Sequence, residues 1–109
     1  MEKMAGKSSI DKKDVKARLA SNMNLMQKFG IKRLGLFGSL VRGEEKIDSD
    51  IDILVEFEKG HEKFNNLVGL HSYLQELLGR NIDLVTTGGL SPYLKSHILA
   101  EVEFIEAAS

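Results

Sequence analysis

The sequence predicts an α/β fold of the α+β type, in which a small mixed β-sheet of three to four strands packs with about four helices. Three observations predict it. Apolar residues recur at helical spacing in two long segments. Short apolar runs bounded by glycine lie between and after these segments. The length of 109 residues suffices for one compact domain but not for two. We therefore expect a single domain over residues 1–109, with residues 1–8 forming a flexible tail.

The first element is a predicted amphipathic helix over Ile10 to Phe29. Ser8 or Ser9 can cap its start, and Gly30 can close its end. Its apolar positions recur every three or four residues, at Val15, Leu19, Met23 and Met26. The two methionines are interpreted as core filling.

Two strands follow, joined by a polar turn. The apolar run from Leu34 to Phe37 predicts the first strand, which ends at Gly38-Ser39. The second strand is predicted from an alternation in which Ile51, Ile53 and Val55 interleave with Asp50, Asp52 and Leu54. The isoleucines are expected on the buried face, which leaves the two aspartates on the outward face.

The second half of the sequence predicts a helix, a strand and a final helix. One face of the first of these helices is predicted to carry Phe64, Leu67, His71, Leu74 and Leu78, with Gly79 ending it. A strand is predicted over Asn81 to Thr86. Ser91-Pro92 then predicts a cap followed by proline at the first helical position, and this helix is expected to end near Leu99. Val102 to Ile105 can add an edge strand.

Composition excludes several classes of protein. Apolar residues make up 42% and charged residues 28%, which is globular rather than disordered composition. No apolar run is long enough to span a bilayer. The absence of cysteine excludes disulfides, thiolate metal sites and a cysteine nucleophile. Because no secretory signal is apparent, we expect the protein in the cytoplasm and away from membranes.

The formal net charge of −1 conceals an asymmetry along the chain. The first third is basic, whereas acidic residues crowd between Glu44 and Glu58. The basic residues of the first helix alternate with acidic and small ones, which favours a solvated helix face over a nucleic-acid site. Acidic surroundings would also repel a nucleic-acid backbone, so nucleic acid is not an expected partner.

The two aspartates of the second strand form the candidate reactive site. Asp50 and Asp52 are separated by one residue, so on a strand their side chains leave the same face with Cα atoms about 6 to 7 Å apart. Two ionised carboxylates this close repel each other unless a cation lies between them. Mg²⁺, which prefers oxygen ligands, is the natural cation.

Gly38-Ser39 is a candidate phosphate site. A tight turn after an apolar strand can direct backbone N–H groups and a hydroxyl outward. Glycine allows a positive φ angle and close approach of a ligand, and the Ser39 hydroxyl can donate to a phosphate oxygen.

Together these residues resemble a known family. Gly38-Ser39, ten residues, and then Asp50-x-Asp52 match the GSx10DxD signature of the minimal nucleotidyltransferases (MNT), within the DNA polymerase β-like superfamily. The resemblance covers about residues 10–100 and implies the nucleotidyltransferase fold. It implies that Asp50, Asp52 and Asp83 form a catalytic, metal-binding set, that Gly38 and Ser39 hold nucleotide phosphates, and that Arg42 orders the loop or meets a phosphate.

The resemblance also implies an activity and a partner. Family members of this size are typically antitoxins of type VII toxin–antitoxin pairs. They transfer AMP from ATP to a tyrosine hydroxyl of a HEPN-domain ribonuclease toxin encoded nearby. The implied cofactor is a pair of Mg²⁺ ions, with Mn²⁺ as an alternative, and the implied assembly is a hetero-oligomer with the toxin. Asp83 would help activate the hydroxyl, whose free pKa near 10 leaves almost none ionised at neutral pH.

Two alternatives stay open at this point. The acceptor could be a small molecule, as in aminoglycoside-modifying relatives, or the protein could be an antitoxin that neutralises its toxin by contact alone. A histidine metal site is not favoured, because His61-Glu62 lacks the second histidine of an HExxH helix. His71 is interpreted as a residue at the edge of the core, and His61 and His97 as facing solvent or the partner.

Overall fold

The elements of the fold are described over residues 11–44 and 49–106 of a computed structural model. In chain order they are α1 (Lys12–Ser21), α2 (Met23–Met26), β1 (Ile31–Phe37), α3 (Ser39–Arg42), β2 (Ile51–Phe57), α4 (Phe64–Leu78), β3 (Ile82–Thr86), α5 (Pro92–Glu101) and β4 (Glu103–Phe104). Two 3₁₀ helices, Gln27–Phe29 and Thr87–Gly89, follow α2 and β3. The predicted tail, with the capping candidates Ser8 and Ser9, lies outside the described residues.

The four strands form one mixed sheet in the order β3-β2-β1-β4. β1 pairs with β2 and with β4 in antiparallel orientation, whereas β2 and β3 are parallel. The parallel pair is possible because α4 carries the chain back across the sheet between these two strands. The predicted mixed sheet is therefore confirmed, including the short edge strand near the end of the chain.

One face of the sheet carries the hydrophobic core. α1, α2 and α4 contribute its helical side, and the sheet contributes alternate residues of β1 and β2. The buried residues of these three helices are Val15, Leu19, Met23, Met26, Leu70, Leu74 and Leu78. Ile51 and Ile53 are fully buried against them, as the alternation predicted. The opposite face of β2 carries Asp52 and Glu56, together with Leu54, which is also fully buried.

The first helix is interrupted, which corrects the prediction of a continuous helix from Ile10 to Phe29. The break is at Asn22, whose φ of −112° and ψ of 9° are not helical. Its side-chain amide donates to the Arg18 carbonyl at 2.8 Å, and its Oδ1 accepts from the Tyr73 hydroxyl at 3.2 Å. Asparagine side chains compete with the backbone for such hydrogen bonds, and here α4 stabilises the competing arrangement. Asp11 caps α1 by accepting from the Asp14 N–H.

The long helix α4 agrees with its predicted bounds but not with its whole predicted face. Gly79 ends it in the left-handed conformation, with φ of 66°. Phe64, however, is 77% exposed, because it begins the helix beyond the edge of the core. The edge position of His71 is confirmed, since its Nε2 lies 2.9 Å from the Ile82 carbonyl oxygen and joins α4 to β3.

The last helix, α5, has the predicted start and runs two residues past its predicted end. Ser91 caps it by accepting from the Leu94 N–H, and Pro92 occupies the first turn. It ends at Glu101, directly before β4. None of its residues is buried. Within the described part of the chain, no helix combines the length and the apolar character needed to cross a membrane.

A glycine on the second face of the sheet makes room for the chain that leaves α5. Gly35 pairs with Phe104 of β4. A Cβ atom at Gly35 would lie 2.5 Å from Cγ2 of Val102 and 3.0 Å from the Phe104 ring. The close approach of Val102 to β1 therefore depends on the missing side chain.

We predict that Gly35→Ala destabilises the protein by about 1–3 kcal/mol, because the added methyl overpacks this contact. Val102→Ala should recover part of the loss in the double variant, since it removes the nearest overlapping atom. Urea unfolding of the two single variants and the double variant measures this coupling. Strictly additive losses would contradict the packing account.

Candidate active site

The candidate site lies on the second face of the sheet, where β1 ends and β2 and β3 begin. Three residues from neighbouring strands are aligned there, because Phe37 pairs with Asp52 and Asp52 pairs with Asp83. The parallel register of β2 and β3 thus places two predicted site residues side by side. The sequence could assign Asp52 and Asp83 to their strands, but it could not predict that the two residues pair with each other.

Asp52 and Asp83 interact directly. Asp52 is half-buried, whereas Asp83 is exposed. The pKa of Asp52 is raised from its usual 3.8 to about 6, chiefly by burial, and next by the charge of Asp83 and by a hydrogen bond between the two carboxyl groups. The charge of Asp50 contributes less, and the charge of Arg42 opposes the rise. Without a cation, Asp52 therefore retains its proton to a higher pH than an isolated carboxyl group would.

Asp50 lies one residue before β2 rather than on it, and its side chain is exposed. Its neighbours fix its position. The Ser49 carbonyl accepts from Arg80 Nη2 at 2.6 Å, and the Ile51 N–H donates to the Asn81 carbonyl at 3.0 Å. Arg80, which lies two residues before β3 along the chain, was not singled out from the sequence. It ties the approach to β2 to the approach to β3.

The carboxylate oxygens of this site fit a hard divalent cation. Asp52 and Asp83 adjoin, and the raised pKa of Asp52 records a crowding of negative charge that such a cation would relieve. Across residues 11–44 and 49–106, no three Asp, Glu, His or Cys side chains have the spacing of a metal site. The structure therefore brings two of the predicted ligands together, with Asp50 near enough for its charge to act on Asp52.

Gly38 connects β1 to α3 and contacts Asp52. Its φ of 78° and ψ of −152° are accessible to glycine and strongly unfavourable for other residues. A Cβ atom on Gly38 would also overlap the carboxylate of Asp52, chiefly its Oδ2 atom. Both the backbone conformation and the space thus require glycine, and the turn lies directly against the acidic pair.

Ser39 begins α3 and is half-buried. Its side-chain hydroxyl has no hydrogen-bond partner among the residues that the structure describes. It is therefore free to donate to a ligand placed at the turn. This agrees with the phosphate contact expected of it, which stays a prediction.

The Arg42 guanidinium is hydrogen-bonded to two glutamates. Its Nε donates to Glu44 Oε1 at 3.0 Å, and its Nη1 donates to both carboxylate oxygens of Glu101, at 3.0 and 3.2 Å. The Gly38 N–H also donates to Glu101, at 2.7 Å. These hydrogen bonds hold the pKa of Glu101 below its usual range, with that of Gly38 contributing most. These hydrogen bonds agree with the loop-ordering role expected of Arg42, and both of its expected roles stay predictions.

Glu101, like Arg80, is a residue of the site that was not predicted from the sequence. It is the last residue of α5 and lies 63 positions after Gly38. No local pattern marks it, because one acidic residue near a helix end is common. Only the pairing of β4 with β1 brings it to the turn.

Comparison with known proteins identifies relatives of the whole arrangement. The sequence profile of the nucleotidyltransferase domain matches residues 23–105. The protein adenylyltransferase MntA of Thermococcus cleftensis is 41% identical over 86 residues, which are 79% of this chain and 86% of that protein. A Methanocaldococcus jannaschii protein, provisionally named a protein adenylyltransferase, is 46% identical over 77 residues, which are 71% of this chain and 82% of that protein.

Solved structures share the fold. A protein described provisionally as a minimal nucleotidyltransferase superposes with a TM-score of 0.76 at 36% identity, covering 86% of this chain and 95% of that one. A toxin–antitoxin crystal structure with AMP-PNP gives a TM-score of 0.66 at 20% identity, covering 86% of this chain and 74% of that one. A complex of a tri-AMPylated Shewanella oneidensis HEPN toxin with its MNT antitoxin gives 0.55 at 22%, with coverages of 80% and 71%. The last two show the fold alone. The predicted nucleotidyltransferase fold is confirmed.

We predict that Gly38→Ala abolishes function at this site, because its methyl group displaces the Asp52 carboxylate. Gly60→Ala is the matched control. Gly60 has a similar φ of 85° but open space around its Cβ position. Both variants should lose on the order of 1 kcal/mol of stability from backbone strain. Only Gly38→Ala should also lose nucleotide binding measured by calorimetry. Equal binding by the two variants would contradict this assignment.

The raised pKa of Asp52 sets a stability test. The folded state binds the proton of the Asp52 carboxyl group more tightly than the unfolded chain does. The contribution of this proton to the free energy of unfolding is therefore fully present below about pH 4. It is lost as the pH rises through the folded value of about 6. Asp52→Asn should therefore raise the melting temperature at pH 8 by on the order of 3 °C, and raise it less at pH 4.5, in chelator-treated buffer.

A control of opposite sign accompanies this experiment. Hydrogen bonds from Lys16 and Lys12 lower the pKa of Glu103, so its stabilisation is present at pH 8 and lost in acid. Glu103→Gln should therefore lower the melting temperature at pH 8. A Tm gain for Asp52→Asn that is independent of pH would overturn the electrostatic explanation.

Proposed function

This chain belongs to the nucleotidyltransferase domain family, and from that premise we propose that it is a protein adenylyltransferase acting on a toxin. It is a nucleotidyltransferase enzyme. In the proposed reaction it transfers AMP from ATP to a tyrosine hydroxyl of a cognate HEPN-domain ribonuclease toxin, and thereby acts as the antitoxin of a type VII pair. The observation that carries the proposal is the contact of the Gly38 turn with Asp52, which stands in register with Asp83.

The relatives support the choice of activity and partner. Both curated relatives described above carry the name protein adenylyltransferase, one of them provisionally. Structural neighbours with the same fold are toxin–antitoxin proteins, one of them in complex with an AMPylated HEPN toxin. A macromolecular acceptor also agrees with the openness of the site, since the Asp50 and Asp83 side chains are exposed.

The carboxylates of Asp50, Asp52 and Asp83 would hold the divalent metal, for which we propose a pair of Mg²⁺ ions with Mn²⁺ as an alternative. A metal held by these carboxylates would lower the pKa of the acceptor hydroxyl and would neutralise charge on the departing pyrophosphate. Asp52 is the central ligand in this arrangement, because it adjoins Asp83 and lies within charge range of Asp50.

The chain's own residues bind the nucleotide and remove a proton. The Ser39 hydroxyl donates to a phosphate oxygen, and the absence of a side chain at Gly38 lets the phosphates approach Asp52. The tyrosine oxygen forms a bond to the α-phosphorus as the bond to the bridging oxygen breaks, and pyrophosphate leaves. The hydroxyl proton passes to the Asp83 carboxylate, which is exposed to the arriving acceptor.

The test combines the protein with ATP, Mg²⁺ and the HEPN protein encoded nearby. We expect an AMP-sized mass gain on a tyrosine peptide of the toxin, and loss of its ribonuclease activity. The double variant Asp50→Asn with Asp52→Asn should lower the rate by on the order of 10³-fold, since removing metal ligands costs several kcal/mol of transition-state stabilisation. Intact mass spectrometry over time measures both rates.

Glu56→Gln is the matched control, because Glu56 lies on β2 with Asp52 but pairs with Arg33 at 2.7 Å. It should retain the wild-type rate. Should wild type give no mass gain while the double variant still neutralises the toxin, inhibition by contact would replace adenylyl transfer. A mass gain on a small-molecule acceptor, with the toxin unmodified, would assign the alternative substrate class.

A further inference from the structure

The Glu101 carboxylate joins two parts of the loop that follows β1. Its Oε2 accepts from the Gly38 N–H at 2.7 Å, and both of its oxygens accept from Arg42 Nη1. These are charge-assisted hydrogen bonds, which are roughly twice as strong as neutral ones. Glu101 thus holds the first residue of the turn and the last residue of α3 at the same time.

We propose that Glu101 is a positioning residue, which fixes the Gly38 peptide and the Arg42 guanidinium so that the turn meets Asp52 in a single geometry. The part of this inference that concerns nucleotidyl transfer rests on the function proposed above. The part that concerns the turn rests on the hydrogen bonds alone. Glu101 acts through Gly38 and Arg42 rather than on the reacting atoms.

The position of Glu101 is itself fixed from the other side. Val102, the next residue, packs into the space left by the missing side chain of Gly35. Immediately afterwards, β4 pairs with β1 at Gly35 and Leu36. The end of α5 is therefore attached to β1, the strand that Gly38 directly follows. This attachment fixes the position of the Glu101 backbone, from which its carboxylate extends.

The turn transmits this position to Asp52 because there is no free space between them. Gly38 approaches the Asp52 carboxylate so closely that a methyl group would overlap it. A displacement of Gly38 toward Asp52 must therefore move the carboxylate. Reaction rates fall about a hundredfold for misplacements near 1 Å, so a loosened turn would act on turnover.

Two other roles for Glu101 make different predictions for a variant that lacks its carboxylate. If its carboxylate merely occupied hydrogen-bond donors that a nucleotide phosphate takes over, its removal would free those donors and tighten nucleotide binding. If it only stabilised the fold, its removal would lower the melting temperature and leave the turnover of the folded protein unchanged. Positioning instead lowers kcat with little change in nucleotide KM.

The first measurement does not depend on activity. In the full-length protein, the Gly38 amide should exchange slowly with solvent and resonate downfield, as expected of a hydrogen bond to a carboxylate. Glu101→Ala should accelerate its exchange by at least about tenfold, while Glu101→Gln, which retains an acceptor oxygen, should accelerate it less. Rapid exchange in the wild type, or exchange unchanged in both variants, overturns the proposal even if adenylyl transfer is established.

The second measurement uses adenylyl transfer. Glu101→Ala and Glu101→Gln should lower kcat by about 10- to 100-fold, with the KM for ATP changing less than about threefold. The control is Glu103→Gln, which removes a carboxylate two residues away that pairs with Lys12 and Lys16. It should alter the melting temperature but not kcat.

The outcomes separate the two proposals. No transfer by wild type rejects the proposed function, and the Gly38 amide still decides whether Glu101 holds the turn. Tighter nucleotide binding by the Glu101 variants, or an unchanged kcat in both, overturns the positioning role. If Glu101→Ala fails to fold, Glu101→Gln provides both measurements.

Discussion

The close approach of Gly38 to Asp52 is the constraint on which the rest of the site depends. The backbone conformation at Gly38 and the carboxylate of Asp52 both occupy space that a Cβ atom would need. Because the two residues come from adjacent antiparallel strands, the contact fixes the end of β1 against the start of β2. The register of the parallel partner, β3, then places Asp83 beside Asp52. The Gly38 turn and the acidic pair are thus parts of one packed unit.

Within this unit, carboxylates repel one another, and this repulsion destabilises the folded protein. Asp52 is half-buried beside Asp83, and the described residues oppose its negative charge chiefly through Arg42. Arg42, however, is hydrogen-bonded to Glu44 and Glu101, so much of its charge is already matched. Strongly shifted carboxyl pKa values of this kind cluster at functional sites. The core on the other face of the sheet, built from α1, α2 and α4, supplies the stability that offsets this repulsion.

The sequence was sufficient for the parts of the fold that local chemistry decides. Alternation identified the buried isoleucines of β2, Gly79 marked the end of α4, and Ser91 marked the start of α5. It was insufficient where distant residues decide. The helix break at Asn22 is stabilised by the Tyr73 hydroxyl, which lies 51 positions away.

In the site, too, local features could be predicted from the sequence and features that depend on distant residues could not. The spacing of Gly38-Ser39 and Asp50-x-Asp52 is a property of the sequence, so it could be identified there. Glu101 reaches Gly38 only because β4 pairs with β1 and Val102 fits against Gly35. No pattern near Glu101 contains that information. Arg80, which anchors the approach to Asp50 through the Ser49 carbonyl, escaped prediction for the same reason.

Because α5 has no buried residue, it affects the fraction of molecules in which the site is assembled. A helix without a buried face contributes little to cooperative unfolding, and such elements open locally at a lower free energy than the core. Here the helix carries, at its last residue, the carboxylate that holds Gly38 and Arg42. The fraction of molecules with an assembled turn therefore depends on local opening at this end of α5 as well as on global stability. Two homologues of equal melting temperature can accordingly differ in the population of their competent state.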